Sequence, residues 1–303
     1  DFGTDPSGTT HLNTDDLVNL LSAGTNVALR ASNDIYWDAT DRLQVKVERP
    51  APDTPAGNLE LIAGRSVTLD GTFETGGGAW SIVANAPAAL GVIDEYREEG
   101  PAYISASWAE FINDTGPLSF TLADGAGNTH RSVDGISVGS IRSGGLTIDI
   151  APDAVGEWDE PWITLTRDLN VSGDVTLTGN LRISSPDLTI RGHRVTWTNE
   201  TTAGLVGEGK LRFFENDVLT RYGWIVGSEI VRMELGGGSF TRVYGDSEAT
   251  IVQTSPPVRE SEYTPVESPD DVSALLLPGS LKVSDDPGVT APVGTHTVIV
   301  SAT

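Results

Sequence analysis

The chain has 303 residues, 43 of them acidic against 19 basic, and a formal charge of −24. Such a surface repels nucleic acid and anionic lipid, so neither is expected as a partner. With no cysteine it has no disulfide, no thiolate metal site and no cysteine nucleophile.

Thr14-Asp15-Asp16-Leu17-Val18-Asn19-Leu20-Leu21 is the clearest helix. Thr14 is expected to cap it, the two aspartates meet the positive end of its dipole, and Gly24 stops it. Its apolar face is Leu17, Leu20 and Leu21, suited to covering the open end of a β core. From Asn26 to Asn85 four strand-like runs follow, NVALRAS, RLQVKVE, NLELIAGRSVTL and WSIVAN, ended by Ser-Asn-Asp, Pro-Asp, Ala-Gly or Gly76-Gly77-Gly78. Alternating or β-branched runs cut short at such corners read as strands. A charged interruption at 94–100 is expected to form a loop, and strand signals resume at 102–105, 118–122, 135–138 and 146–150. A second interruption, Pro152 to Pro161, holds Trp158 and is expected to stand off the body.

Trp162 to Trp197 is the most regular stretch, with apolar residues at alternate positions in segments of four to six. Its links, Ser172-Gly173-Asp174 and Gly179-Asn180, are short, and the long paired strands of hairpins are missing, which favours parallel turns over a meander. KLRFF, WIVG, VRMELGG and TRVYG carry the pattern to Val252. At roughly 20 to 25 residues per turn, as in known repeats, the body makes on the order of ten turns. Prolines then crowd in from Pro256 and break the ladder. The expected fold is all-β: a parallel β-helix (β-solenoid) with a short N-terminal capping helix and a small C-terminal β segment, a β-sandwich being the alternative. Its parts are an arm and helix over 1–25, a body over 26–253 and a proline-rich segment over 254–303. The last strand signal, including Thr297, Val298, Ile299 and Val300, is the expected subunit contact.

Chemistry is sparse. His11, His130, His193 and His296 lack ligand spacing, and no G-x-S-x-G elbow or phosphate loop occurs. Acidic clusters such as Asp285-Asp286 lack the spacing of a calcium loop, so no cofactor is expected, a structural calcium being the one metal compatible with the composition. Asp149, Asp153, Glu157, Asp159 and Glu160 form the densest carboxylate group, the only basis for a polysaccharide lyase or glycosidase. In so acidic a chain it reads as a solvated loop, and no catalytic residue is assigned. Of seven tryptophans, most are expected in the core, whereas Trp158 and Trp162 are candidate glycan contacts. Asn113, Asn170 and Asn199 open N-x-[ST] sequons and are candidate glycosylation sites.

No apolar run reaches the roughly 18 residues of a membrane helix. The chain starts at Asp1, as a processed or excised product does, so secretion to the cell surface is the expectation.

THLNTDDLVNLLSAGTNVALRASNDIYW, followed by NLELIAGRSVTLDGTFETGGGAWSIVAN, resembles the haemagglutinin-type repeats of filamentous haemagglutinin and related two-partner-secreted exoproteins. GPAYISASWAEFINDTGPLSFTLADGAGNTHRSVDGISVGSIRSGGLTIDI is similar in style, so the resemblance covers about half the chain. It implies a right-handed parallel β-helix on a bacterial surface, used for adhesion or as a rigid stalk. The NPNL and NPNG motifs of that family's secretion domain are absent. The expected function is therefore an extracellular, non-enzymatic structural or adhesive protein that polymerises with itself through its ends. The alternatives are a carbohydrate-binding adhesin domain with surface glycans as partners, or a polysaccharide-cleaving enzyme.

Overall fold

A computed structural model describes residues 8–37, 44–156, 160–198, 202–226, 231–236, 239–244, 248–259, 281–283 and 300–302. Among the described residues the protein is all-β apart from one α-helix and two single-turn helices, and most strands belong to one long, mainly parallel sheet. Up to Glu215, successive short strands within one turn do not pair with each other. Instead Val27–Ala31 pairs with Leu59–Ala63, which pairs with Trp80–Ala84, and the same ladder continues through 118–122, 146–150, Val175–Thr178 and Val195–Thr198. A second ladder links Ile35–Trp37, Val67–Leu69, 104–105, 136–138, Trp162–Leu165, Asn180–Ile183 and Thr202–Gly207. A third links Gln44–Lys46, Thr72–Glu74, 110–112, 141–143, Leu169–Val171, Asp187–Gly192 and Gly209–Glu215. The chain visits the three ladders in the same order each time, and each holds seven strands rather than about ten. An antiparallel sandwich is not how the body is built.

Glycine sets the entry to the first ladder. Gly57, Gly78, Gly116, Gly144 and Gly173 each stand two residues before its next strand. A Cβ at Gly57 would lie 2.0 Å from the Thr25 oxygen, and one at Gly173 would lie 2.1 Å from the Gly144 oxygen. Backbone therefore stacks on backbone at this corner, where no side chain fits. Asparagines tie the same corner together: Asn26 Oδ1 accepts from Asn58 N, and Asn58 Oδ1 accepts from Ala79 N, both at 2.9 Å.

Alternate residues of each strand point inward, giving one apolar core from Leu17 to Ile225. Phe73 and Phe111 are register partners with ring centres 5.3 Å apart, and Trp37, Trp80 and Phe120 extend the stack. Each such buried side chain contributes about 1.5–3 kcal/mol. Trp37, Trp80 and Trp197 take the expected inward positions, but Trp108 is 75% exposed.

The interruption at 94–100 is tied down rather than standing off the body. Asp94 accepts from Thr129 N at 2.9 Å and from its hydroxyl at 2.6 Å, which lowers the carboxyl's pKa. Arg97 is buried and donates to Asn85 Oδ1 at 2.8 Å, and Arg65 joins Asp34 to Glu98. Of the second interruption, 157–159 lie outside the described residues.

Other elements of the chain close the core at both ends. The helix Thr14–Ser22 is capped by Asn13, not Thr14: Asn13 Oδ1 accepts from Asp15 N at 2.8 Å. Leu17 and Leu21 enter the core, and Leu21 O accepts from Gly57 N at 2.8 Å; Leu20, expected on the same face, is exposed. At the other end the parallel pairing stops at Glu215, short of the expected limit at 253. Asn216 and Asp217 both have positive φ, at 51° and 61°, and Glu215 pairs across them with Val218. This two-residue turn matches the twist of a hairpin. Val218–Val226 then runs antiparallel to Gly209–Glu215, and Val231–Gly236 runs antiparallel to Thr202–Gly207.

The first ladder ends differently. Val195, in its last strand, donates its N–H to Glu215 Oε1 at 3.1 Å and accepts from Arg221 Nη2 at 2.6 Å. The two side chains also pair with each other at 2.8 Å, supplying the acceptor and donor that another strand would bring. Burial lowers the Arg221 pKa, and Glu215 offsets this. Near the C-terminus, Val300–Ala302 pairs antiparallel with Leu281–Val283 of the same chain. No helix among the described residues is long and apolar enough to cross a membrane.

Candidate functional site

The outward side of the second ladder forms a trough of about 490 Å³. Its geometry follows from strand alternation. In Val67–Leu69 the flanking residues are buried and Thr68 faces out; the same holds for Ser105, Ser137, Thr164 and Arg182 in their strands. Register places these residues, with Tyr36, in one row: Tyr36 beside Thr68, then Ser105, Ser137, Thr164 and Arg182. At roughly 4.8 Å per strand the row is about 24 Å long. Hydroxyls fill its middle, and an aromatic ring and a guanidinium end it.

A parallel row two residues earlier carries Tyr103, Gly135, Trp162 and Asn180. Gly135 makes the floor. It has φ +149°, and a Cβ there would meet the Trp162 oxygen at 2.4 Å, so no side chain separates Tyr103 from Trp162. Tyr36 is 67% exposed and Tyr103 39%, whereas Trp162 is 5% exposed. Trp162 is held by its surroundings: Arg182 Cζ lies 5.5 Å from its ring centre, within cation–π range. Its neighbour Asn180 donates to Glu160 Oε2 at 2.9 Å and accepts from Gly204 N at 2.7 Å. Asp134 lines the trough at the Tyr103 side, where the register shifts between Ala102 and Tyr103.

Rings, hydroxyls and one charge of each sign along an open channel suit a polar chain with apolar faces. Tyrosine and tryptophan rings stack on such faces, and hydroxyls both donate and accept.

The outward side of the third ladder forms a second trough, also about 490 Å³. Here each lining arginine has an aspartate partner. Arg142 Nε lies 2.7 Å from Asp114, Arg191 Nη1 lies 3.1 Å from Asp217, and Arg212 pairs with Asp187. Arg191 also sits 4.8 Å above the Phe214 ring.

Of the residues singled out in the sequence, Trp162 lines the first trough, and Trp158 lies outside the described residues. Asn170 is exposed in the third ladder. Asn113 is fully buried: its amide donates to Gly78 O at 2.8 Å and its Oδ1 accepts from Gly116 N at 2.9 Å. The folded chain therefore does not offer it for glycosylation. Asn199, Thr297, Val298 and Ile299 lie outside the described residues, and Val300 pairs with Val283. Among the described residues no group of three or more acidic or histidine side chains is arranged to hold a metal.

Tyr36, Tyr103 and Arg182 were not found from sequence. Each stands alone among unrelated neighbours, and only the register joins them.

Fold and site together define an all-β protein with a long parallel sheet and an open, aromatic-edged trough on one face. Comparison of the chain with protein families, with curated proteins and with solved structures found no match.

Proposed function

We propose that the chain is an extracellular, non-enzymatic adhesive protein whose ladders wind as a right-handed parallel β-helix and whose second face binds a saccharide. The observation that carries this reading is the row from Tyr36 to Arg182 with Gly135 as floor. Such a trough crosses the strands and gives an extended glycan several equivalent polar steps. The acidic, cysteine-free composition and the resemblance to haemagglutinin-type repeats support a surface location.

Polymerisation through the ends has less support. At the far end the antiparallel strands and the Arg221–Glu215 pair occupy the places where another copy's ladder would continue.

Binding of the purified chain to a glycan array tests the saccharide reading, with Tyr36→Ala as the variant. The expected result is a saccharide-specific signal that Tyr36→Ala weakens; a signal indifferent to Tyr36 would place binding elsewhere. Sedimentation over a range of concentrations tests the ends, and monomers throughout are expected.

A further inference from the structure

The trough carries charge of opposite sign at two places, Arg182 at one end and Asp134 along the Tyr103 side. Arg182 is exposed, lies over the Trp162 ring and has no carboxylate partner among the described residues. The arginines of the third-ladder face, Arg142, Arg191 and Arg212, each pair with an aspartate. In a chain of charge −24, Arg182 is the one cation that lines this trough. Stacking on Trp162 restricts the guanidinium, so less freedom is lost when it binds. Its fork of N–H donors matches a carboxylate with two parallel hydrogen bonds. Asp134 holds the opposite charge near Tyr103. The two groups stand on strands separated by one intervening strand, about 10 Å across the sheet.

We propose that this trough selects an oligosaccharide bearing a single carboxylate, which pairs with Arg182 while neutral sugar units lie along Thr164, Ser137 and Ser105 toward the tyrosines. The proposal rests on the saccharide reading above and adds the charge class and orientation of the ligand. Asp134 turns the acidic unit away from the Tyr103 side. The net charge of the protein disfavours a polyanion, whose remaining carboxylates would meet an acidic surface. One acidic unit on an otherwise neutral chain satisfies both constraints.

The experiment uses the full chain and matched probes: neutral oligosaccharides, the same oligosaccharides carrying one terminal uronate, and polygalacturonate. Wild type is expected to bind the singly carboxylated probe about tenfold more tightly than its neutral partner, the gain of one charge-assisted contact. That preference is expected to shrink as salt is raised. Arg182→Met should abolish the preference, the carboxylated and neutral probes then binding alike, and Arg182→Lys should restore only part of it. Equal binding of neutral and carboxylated probes, with Tyr36→Ala still weakening both, would overturn the proposal and leave the saccharide reading standing. Tightest binding to polygalacturonate would also overturn it. Binding to none of the probes by wild type would overturn both.

Discussion

The second and third ladders present outward faces built by the same rule, yet they are chemically different. Both run across parallel strands, and both hold a trough of about 490 Å³. On the third face each arginine lining the trough is paired with an aspartate and Arg191 Cζ lies 4.8 Å from the Phe214 ring centre, so its cations are already engaged. On the second face the middle of the row is Thr68, Ser105, Ser137 and Thr164, the floor is Gly135, and charge appears only at the sides. A face whose cations are engaged has less to offer a ligand; the face that leaves small hydroxyls between aromatic rings is where the saccharide is proposed to bind.

The sharpest way to break this contrast is to fill the floor. Gly135→Val puts a Cβ against the Trp162 oxygen at a backbone angle that side chains avoid, and a loss of about 3 kcal/mol or more is expected in denaturant unfolding. Ser140→Val, at a residue lining the third-ladder trough, should stay within about 0.5 kcal/mol; equal effects would mean that Gly135 is no special position. Tyr36→Ala removes a ring that edges the trough, and saccharide affinity should fall by about 0.5–1.5 kcal/mol in calorimetry.

Arg191→Ala tests the third face. Its exposed partner Asp217 limits the loss to about 1 kcal/mol or less, and 1 M salt should shrink the difference. The smallest effect expected is at the corner leading into the second face. Thr129 holds the Asp94 carboxyl below its ordinary value of 3.8. Its contribution is therefore present above that value and is lost as pH falls through the depressed one. Asp94→Asn should flatten the acid limb of a thermal-stability profile below about pH 4; an unchanged limb would show that the contact is too exposed to matter.

Much of the body was legible in the chain. The period-two alternation of NLELIA or DVTLTG marked inward and outward residues, and the recurring glycine two places before an apolar residue marked the corner. Leu17 and Leu21 marked the cap. The hairpin at Asn216-Asp217 was also present as a signal, two turn-forming residues between FFE and VLT, and it ends the parallel pairing. The site was not legible. Its row draws one residue from each of six strands separated by 18 to 37 positions, and no fixed period connects them. Asn113 shows the converse: its sequon is plain in the sequence, and burial cancels it.

The amino-acid sequence by itself determined that the chain is β, that its strands are short, and which side of most strands turns to the core, because side-chain direction alternates along a strand whatever its partner. Only the tertiary structure decided which outward residues stand together. That depends on register across a whole turn, and register is set by the loop lengths, the glycine corners and the fit of the core. Tyr36, Ser137 and Arg182 thus form one row because three distant strands pair through their neighbours.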